Sequence, residues 1–455
     1  KSAINDPSIF TFNADVAADL KSVTLLAVCT INRTPEQVLG TVEASKTIIE
    51  NAGSKVAGVF ITGCKDEQVE PLKEEFAAYE VPVWTLPAVD FNEEDAVAKA
   101  TEAFEANVNA EKLISAVEVP FEAPTTPYAF QYSLLGKAKA NKRTIVLPEG
   151  TEDRIIKAAD YLLERDIVDL IIVGDKESIL ARGEELGLKS LEKAQFQAKD
   201  DEEVLVPMVA KLCELRAKKG MTEEQARKQL TDDSYFGTML VKMGKADCLL
   251  GGATYSTADT VRPALQLIKT KPGNKIVSSC FIMVRPAASG ENEVLAMADC
   301  AINIKPNEDE LVEICKETVS CAKIFGVDPK VAFLSYSTLG SGKGEDVDKM
   351  RNACEKAKAL MPDTPIGGEF QFDAAVSPAV AKTKHITDAV GGHANTFIFP
   401  DINAGNIGYK IAQRLGSFDA YGPILLGLNA PINDLSRGCN AQEVYSMAII
   451  TAALA

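Results

Sequence analysis

Ser22-Val-Thr-Leu-Leu-Ala-Val-Cys29 is a short, mostly apolar run, and Thr34-Pro35 follows it closely. Such a run is typical of a buried strand, and a threonine-proline pair is typical of a helix start, because proline suits the first helical position. Two further runs, 56–62 and 81–86, are separated by a polar segment near 67–79 with helical character. This order predicts a βαβαβ unit with parallel strands, and therefore an α/β fold class.

The composition predicts a soluble globular protein. The chain has 455 residues, 46% hydrophobic and 25% charged, a length that suits about three domains. Its net charge of −17 argues against binding nucleic acid or an anionic membrane, and no apolar run approaches the ~20 residues of a membrane span. Its ten scattered cysteines form no CxxC pair, which disfavours a metal site and favours a reducing, cytoplasmic location. No hydrophobic signal segment is visible, and a start at Lys1 leaves processing or a fragment open.

A proline-rich break at 119–127 is the best candidate for a domain boundary. Before it, residues 1–120 have no glycine-rich turn after Cys29, which disfavours a nucleotide site and favours a scaffold or regulatory role. After it, a second α/β block is predicted from residue 128. Thr151 is the predicted cap of a helix at 153–165, and the polar region 197–235 is predicted to be helical. The predicted strands of this block lie at 143–147, 170–173, 247–250, 275–284, 331–334 and 396–399.

Ser337-Thr-Leu-Gly-Ser-Gly-Lys-Gly344 invites comparison with the nucleotide-binding loop GxxxxGK[ST]. That loop needs glycine in its first position and a hydroxyl after the lysine, where this chain has Ser337 and Gly344. The segment therefore lacks the groups of a nucleotide-metal site. Its backbone amides and hydroxyls still predict one wall of an anion-binding cleft.

Four loops of the second block follow predicted strands and are rich in glycine, hydroxyl and amide groups. Taken singly, each is as well explained as an ordinary turn, because these residues favour turns for conformational reasons. Taken together, with arginines in two of them, they favour a phosphate-binding cleft at the carboxyl ends of parallel strands. The loops span residues 251–262, 335–342, 399–406 and 433–439.

Ser436 and Arg437 place a hydroxyl beside a planar cation that can hold two phosphoryl oxygens. Glu443 follows on a helix predicted to begin near Asn440, either as a carboxylate near the ligand or as a residue that merely favours the helix N-terminus. Ser436 lacks a GxSxG context, which disfavours a Ser-His-Asp hydrolase. His385 and His393 are predicted to lie on the surface.

Five long blocks closely resemble the phosphate acetyltransferases (phosphotransacetylases) of the phosphate acetyl/butyryltransferase family. Residues 1–120 resemble the dethiobiotin-synthetase-like domain that precedes the catalytic domain in long members, without its phosphate loop. The resemblance implies a catalytic region at 128–455 in two α/β subdomains like those of isocitrate and isopropylmalate dehydrogenases: 128–271 with 426–455, and 272–425. The blocks are GGATYSTADTVRPALQLIK (251–269), VAFLSYSTLGSGKG (331–344), GEFQFDAAVSPAVA (368–381), GGHANTFIFPDINAGNIGYKIAQRL (391–415) and AYGPILLGLNAPINDLSRGC (420–439).

The resemblance implies the reaction acetyl-CoA + phosphate ⇌ acetyl phosphate + CoA, without a metal or bound cofactor and usually in a homodimer or higher oligomer. CoA, acetyl phosphate and inorganic phosphate are then the partners. The implied catalytic residues are Ser436, Arg437 and Glu443, where Glu443 replaces the family's aspartate. Asp401 and Asp373 are the alternative bases. The predicted substrate-binding residues are Arg216, Arg262, Ser335, Ser337, Thr338 and Gly340.

Three other functions remain open from the sequence. A phosphate butyryltransferase, or another short-chain acyl phosphate transferase, would differ in the size of its acyl pocket. A non-catalytic sensor or scaffold stays open because Glu443 departs from the family residue. A nicotinamide dehydrogenase is disfavoured because no GxGxxG follows a predicted strand.

Overall fold

The computed structural model of the chain describes residues 7–285 and 293–455. The first six residues of the predicted N-terminal domain lie outside this range. The described residues divide into two compact units. One contains residues 7–130 with 284, 285 and 293, and the other contains Gln131–Met283 and Val294–Ala455.

The N-terminal unit has a three-stranded sheet in the order β1-β2-β3, with both pairings parallel. This confirms the predicted βαβαβ arrangement. Thr34 caps the helix after β1 in a capping box with Gln37, and Pro35 is its first residue, as predicted. The elements of this unit are α1 (Pro7–Asp19), β1 (Val23–Cys29), α2 (Pro35–Asn51), β2 (Lys55–Cys64), α3 (Asp66–Glu75), β3 (Val83–Pro87), α4 (Ala96–Asn107) and α5 (Ala110–Val117).

The second unit has two sheets, of which sheet one has five strands in the order β14-β7-β4-β5-β6, all paired in parallel. A core with fully buried Phe236, Met239, Leu249 and Leu267 packs on it. Helix α6 (Pro127–Ala140) precedes this sheet. The elements that follow are β4 (Thr144–Leu147), α7 (Asp153–Glu164), β5 (Asp169–Val173), α8 (Lys176–Glu185), β6 (Gln195–Gln197), α9 (Glu202–Leu215), α10 (Glu223–Gln229), α11 (Asp233–Lys242), β7 (Cys248–Gly251) and α12 (Thr257–Pro263).

Sheet two has six strands in the order β11-β10-β12-β9-β8-β13, and its pairings from β11 through β9 are parallel. Phe370 and Phe397 are fully buried in its core. Helix α18 (Ala441–Ala453) follows β14 and packs back on sheet one against α7. The remaining elements are β8 (Ser278–Arg285), β9 (Glu293–Ala298), α13 (Glu308–Ile324), β10 (Val331–Leu334), α14 (Glu345–Leu360), β11 (Ile366–Phe370), α15 (Phe372–Val376), α16 (Pro378–Thr383), β12 (Thr396–Ile398), α17 (Ile402–Leu415), β13 (Asp419–Leu426) and β14 (Ile432–Asp434).

A buried asparagine joins the end of sheet two to sheet one and α18. Asn433 in β14 accepts a hydrogen bond from the Leu425 amide of β13 (2.8 Å) and donates one to the Thr451 hydroxyl of α18 (2.9 Å). Thr451 donates in turn to the Met447 carbonyl (2.7 Å). All these groups are paired although Asn433 is fully buried, so the network fixes where β14 ends and where α18 lies.

One predicted cap is wrong. The structure places Glu152, and not Thr151, at the N-cap of α7, with its side chain accepting a hydrogen bond from the Arg154 amide (3.4 Å). A glutamate reaches this amide because its side chain folds back over the first turn.

The sheets described above give the chain an α/β fold with parallel strands. Within residues 7–285 and 293–455, no helix combines the length and the apolar character that a membrane span requires.

Candidate active site

The carboxyl edge of sheet one brings two of the predicted loops together. Strand β14 pairs with β7 so that Asp434 lies opposite Gly251, the last residues of the two strands. The Leu435 amide donates to the Gly251 carbonyl (2.7 Å) just beyond them. The segment with Ser436 and Arg437 therefore leaves the sheet beside the loop that leads to Arg262.

Glu149, in the loop after β4, organises the 251–262 loop. Its buried carboxylate, 3% exposed, accepts hydrogen bonds from the backbone amides of Gly252 (2.8 Å), Ala253 (3.1 Å) and Thr254 (2.6 Å). The Thr254 hydroxyl adds a fourth at 2.5 Å. The anion held by these amides is thus a side chain of the protein itself.

Arg154 clamps both loops from the first turn of α7. Its guanidinium group donates to the carbonyls of Arg437 (2.8 Å), Cys439 (3.0 Å) and Ala253 (3.0 Å). Its Nε donates to Glu152 (2.7 Å), which lowers the pKa of that carboxyl group. Arg154 was not among the residues predicted from the sequence. A cation in a first helical turn opposes the helix dipole, so this unfavourable position could have marked it.

Ser436 and Arg437 are exposed at the tip of the segment. The Ser436 carbonyl accepts from the Cys439 amide (2.9 Å), which makes a tight turn. The guanidinium group of Arg437 donates to no acceptor within residues 7–285 and 293–455. Burial raises the pKa of Asp434 to about 6, and the charge of Arg437 opposes this rise. Arg437 is therefore available to bind an anion.

Arg216 and Arg262 share one neighbour, Tyr235. Burial raises the pKa of Tyr235, and the charges of Arg262 and Arg216 oppose that rise, so both cations lie near its ring. The Nε of Arg216 is buried and has no acceptor among the described residues. Arg262 is mostly exposed, and its ion pair with Asp259 is 3.2 Å long. These features favour anion binding by both arginines.

Glu443 caps its own helix. Asn440 is the N-cap of α18, as predicted, and its amide donates to Glu443 Oε2 (2.9 Å). Asn440 Oδ1 accepts from the Glu443 amide (2.9 Å), which completes a capping box. The structure therefore shows that Glu443 stabilises the N-terminus of α18. Its role as base remains a prediction.

A pocket of about 470 Å³ opens beside the N-terminus of α18. Ser436 and Glu443 lie on one wall of it, and Lys410 and Arg414 of α17 lie on another. The Tyr409 ring, stacked on Phe281 at 3.9 Å between centroids, forms an aromatic surface between them. The described side chains of Arg216, Arg262 and Arg437 are not part of this lining. The pocket thus combines cations, a ring face, a hydroxyl and a carboxylate.

The loop that follows β10 surrounds a second buried carboxylate. Glu369 of β11 is fully buried, and its Oε1 accepts from the Ser337 hydroxyl (3.0 Å) and the Gly340 amide (2.7 Å). The backbone of Gly340 has φ +83°, a conformation that glycine adopts without strain. The Thr338 hydroxyl pairs with Gln371. These donors are engaged within the protein, and the hydroxyl of Ser335, the other predicted residue of this loop, accepts from the Ser337 amide (3.1 Å).

The other candidates serve as caps or lie on the surface. Asp401 caps α17 by accepting from the Ala404 amide (3.0 Å). Asp373 accepts from the Ala374 amide (2.8 Å) and lies 3.9 Å from Lys384. His385 and His393 are exposed, as predicted.

Comparison with known proteins gives one consistent result. The sequence model of the family described as Phosphate acetyl/butaryl transferase matches residues 129–452. A phosphate acetyltransferase of Bacillus subtilis is 50% identical over 316 residues, which cover 68% of this chain and 94% of that protein. One of Nitratidesulfovibrio vulgaris is 44% identical over 353 residues, 77% of this chain and 49% of that protein.

Solved structures agree with the sequence matches. The crystal structure of a phosphotransacetylase from Streptococcus pyogenes superposes with a TM-score of 0.69 at 48% identity, over 72% of this chain and 98% of that one. A branched-chain phosphotransacylase from Enterococcus faecalis shares the fold at 19% identity, with a TM-score of 0.51, over 68% of this chain and 98% of that one.

Proposed function

The chain belongs to the phosphate acetyl/butaryl transferase family, and we propose that it interconverts acetyl-CoA and phosphate with acetyl phosphate and CoA by direct thiolate attack in a ternary complex. It is a transferase, and CoA and phosphate are its substrates. The observation that supports the mechanism is the pocket whose lining combines Ser436 and Glu443 with two cations, Lys410 and Arg414, and the Tyr409 ring. CoA carries several phosphates and an adenine ring, so it suits this lining.

The proposed role of the arginines is to attract and bind the anionic substrates. Acetyl phosphate and inorganic phosphate are anions, and the protein is strongly acidic overall, so local cations must attract and hold them. Arg216, Arg262 and Arg437 neutralise the phosphoryl oxygens, and the Ser436 hydroxyl donates to the acetyl carbonyl oxygen as it becomes an oxyanion. Ser335, Ser337, Thr338 and Gly340 are proposed as the frame of a neighbouring substrate wall.

Glu443 is the proposed base. A thiol with its reference pKa of about 8.5 is mostly protonated at neutral pH, and its thiolate is the nucleophile. A carboxylate at the rim of the CoA pocket can accept the thiol proton as sulfur attacks the acetyl carbon and the phosphate leaves. In the reverse direction the same group returns the proton to the departing sulfur.

The remaining organisation of the chain is part of this proposal. Residues 1–120 form a regulatory or scaffold domain, and residues 128–271 with 426–455 and 272–425 form the two catalytic subdomains. We also propose a cytoplasmic homo-oligomer, a dimer or higher. Eight of the ten cysteines are buried free thiols, which suits a reducing compartment.

The direct test follows CoA-dependent formation and breakdown of acetyl phosphate by the purified chain. We expect turnover with acetyl-CoA and phosphate, and slower turnover with butyryl-CoA. Faster turnover with butyryl-CoA would assign the chain to butyryl transfer. No acyl phosphate from either thioester would disprove the proposed function.

Arg437→Ala tests the arginine site. Because the guanidinium group is exposed and donates to no acceptor among the residues that the structure describes, its loss should leave the melting temperature unchanged. Activity should fall by about a hundredfold or more, as for loss of one preorganised donor to a developing charge. Arg165→Ala, another exposed arginine at the far end of α7, is the matched control. Wild-type-like turnover of Arg437→Ala would contradict the assigned role.

A further inference from the structure

Asp434 holds the helix that carries Arg262. It is the last residue of β14 and is 1% exposed. Its Oδ2 accepts from the Thr257 hydroxyl and its Oδ1 from the Thr260 hydroxyl, both at 2.5 Å. These threonines are the first and fourth residues of α12, and Arg262 follows two positions later. Both oxygens of one carboxylate therefore bind the same short helix.

The same carboxylate lies at the base of the segment that carries Arg437. Asp434 is three residues before Arg437, whose charge acts on it. The loop after β7 approaches the Asp434 carboxylate closely at Gly252. This glycine has φ +102°, and a Cβ atom there would lie 2.3 Å from Asp434 Oδ1. Only glycine permits this approach. Asp434 thus lies between the two elements that present the proposed phosphate-binding arginines.

The carboxylate is unfavourable for folding in this position. Burial raises the pKa of Asp434 to about 6, the charge of Glu149 adds to the rise, and the two threonines and Arg437 oppose it. At neutral pH the group is still mostly charged, at an energetic cost that an asparagine would avoid. Perturbed buried carboxylates of this kind are common at functional sites, where charge is retained for a purpose other than packing.

We propose that Asp434 is a positioning residue that fixes the spacing of Arg262 and Arg437 on the phosphate group. The proposal rests on the proposed function. Without the carboxylate, α12 and the 435–439 segment lose their common anchor, and the two guanidinium groups no longer meet the phosphoryl oxygens together. CoA, in the pocket on the α17 side of Ser436, meets Lys410 and Arg414 of α17 as well as the 435–439 segment, so its binding should change less than that of phosphate. The expected signature is therefore a larger change for phosphate than for CoA.

Asp434→Asn is the first variant to test. We expect the KM for phosphate to rise about tenfold or more, because two charge-assisted contacts lose alignment, and the KM for CoA to stay within about twofold. The control is Asp160→Asn on α7. Asp160 is also a buried carboxylate that organises a loop, accepting from the amides of Lys189 (3.0 Å) and Ser190 (2.6 Å). That variant should leave both constants unchanged.

Three results would overturn the proposal while the wild type is active. The first is an unchanged KM for phosphate in Asp434→Asn. The second is a lower KM for phosphate, which is expected if Asp434 only repels the anion. The third is an equal rise in the KM for phosphate and the KM for CoA, which is expected from general damage to the fold. A wild type without acetyl transfer would instead disprove the proposed function. The two failures are thus distinct.

Thr257→Val and Thr260→Val provide a second test, which also decides the matter if Asp434→Asn does not fold. Each removes one hydrogen bond to the charged form, so the pKa of Asp434 should rise further. Its other titratable neighbours, Glu149, Tyr255 and Arg437, remain. Protonation of Asp434 should raise the KM for phosphate at acidic pH, and in the variants this rise should begin at a higher pH than in the wild type. Dividing the KM of each variant by the wild-type KM at the same pH removes the effect of ionisation of phosphate itself. Unchanged phosphate constants and pH profiles in both variants would refute the positioning role.

Discussion

At the scale of single residues, Glu443 has two roles that substitution can separate. Glutamine can make the same hydrogen bond to the Asn440 amide, so Glu443→Gln keeps the capping box and removes only the base. We expect turnover to fall by about a hundredfold or more, with little change in KM and none in melting temperature. Steady-state kinetics and thermal unfolding measure both.

Glu443→Asp is the complementary variant. It keeps a carboxylate but shortens the reach to the Asn440 amide, so the helix should lose about 0.5–1 kcal/mol of stability while most activity remains. An unchanged rate in Glu443→Gln would instead direct the search for the base to Asp401 or Asp373.

Asp434 gives a pH prediction with a definite sign. The pKa of Asp434 is about 6 in the folded chain, against 3.8 for an unperturbed aspartate, so between these values the folded state binds more protons than the unfolded state. The free energy of unfolding should therefore decrease as pH rises from about 4 to 6, by about 3 kcal/mol from this group. Asp434→Asn should lack this term. Urea unfolding of both proteins at pH 4.5 and 7 tests it, and parallel pH profiles would contradict it.

The loops show what sequence could and could not predict about single residues. Glycine and hydroxyl residues after strands predicted a phosphate-binding cleft, and in the structure the amides of two of these loops bind carboxylates of the protein itself. The sequence could not show that the anions within them are Glu149 and Glu369, because these lie far away along the chain. The loop at 433–439 was predictable as a turn from its own residues, and the catalytic role of Ser436 and Arg437 remains a prediction. Arg154 acts through contacts with loops far away along the chain, and the one sign of it in the sequence is a cation in the first turn of a predicted helix.

At the scale of secondary-structure elements, the short strand β14 depends on Asn433. Asn433→Leu would leave the Leu425 amide buried and unpaired, and we expect a loss of about 1–3 kcal/mol in unfolding free energy. Thr451→Val should cost less, and the double variant should lose less than the sum, because both belong to one network. Additive effects in denaturant unfolding would contradict this coupling.

Long apolar elements were predictable, and short or glycine-rich strands were not. The three strands of the N-terminal unit and those at 143–147, 170–173, 247–250, 275–284, 331–334 and 396–399 are confirmed within a few residues. Strands β6 and β14 have three residues each, too few to show a period. Strand β11 contains two glycines, which sequence rules assign to turns. Tertiary pairing, and not local propensity, makes these segments strands.

At the scale of the whole molecule, α17 offers a surface for assembly. Ile407, Ile411 and Leu415 form a stripe at helical spacing and are 57%, 53% and 82% exposed. A second copy of the chain can cover this stripe with the same stripe, as a two-fold interface requires. We expect Ile411→Glu to reduce the mass in solution to that of a monomer. Light scattering after size exclusion measures it, with Val206→Glu on α9 as the exposed apolar control. A wild-type mass for Ile411→Glu would exclude this interface.

The carboxylates enclosed by loops have a consequence for ligand binding. The loop amides already donate hydrogen bonds to Glu149 and Glu369. The two loops are therefore ordered without a bound substrate. Binding then loses little conformational entropy, and more of the contact energy remains as affinity. Hydrogen exchange of the Gly252, Ala253 and Gly340 amides should accordingly be slow, and equally slow in the empty enzyme and in the enzyme saturated with CoA.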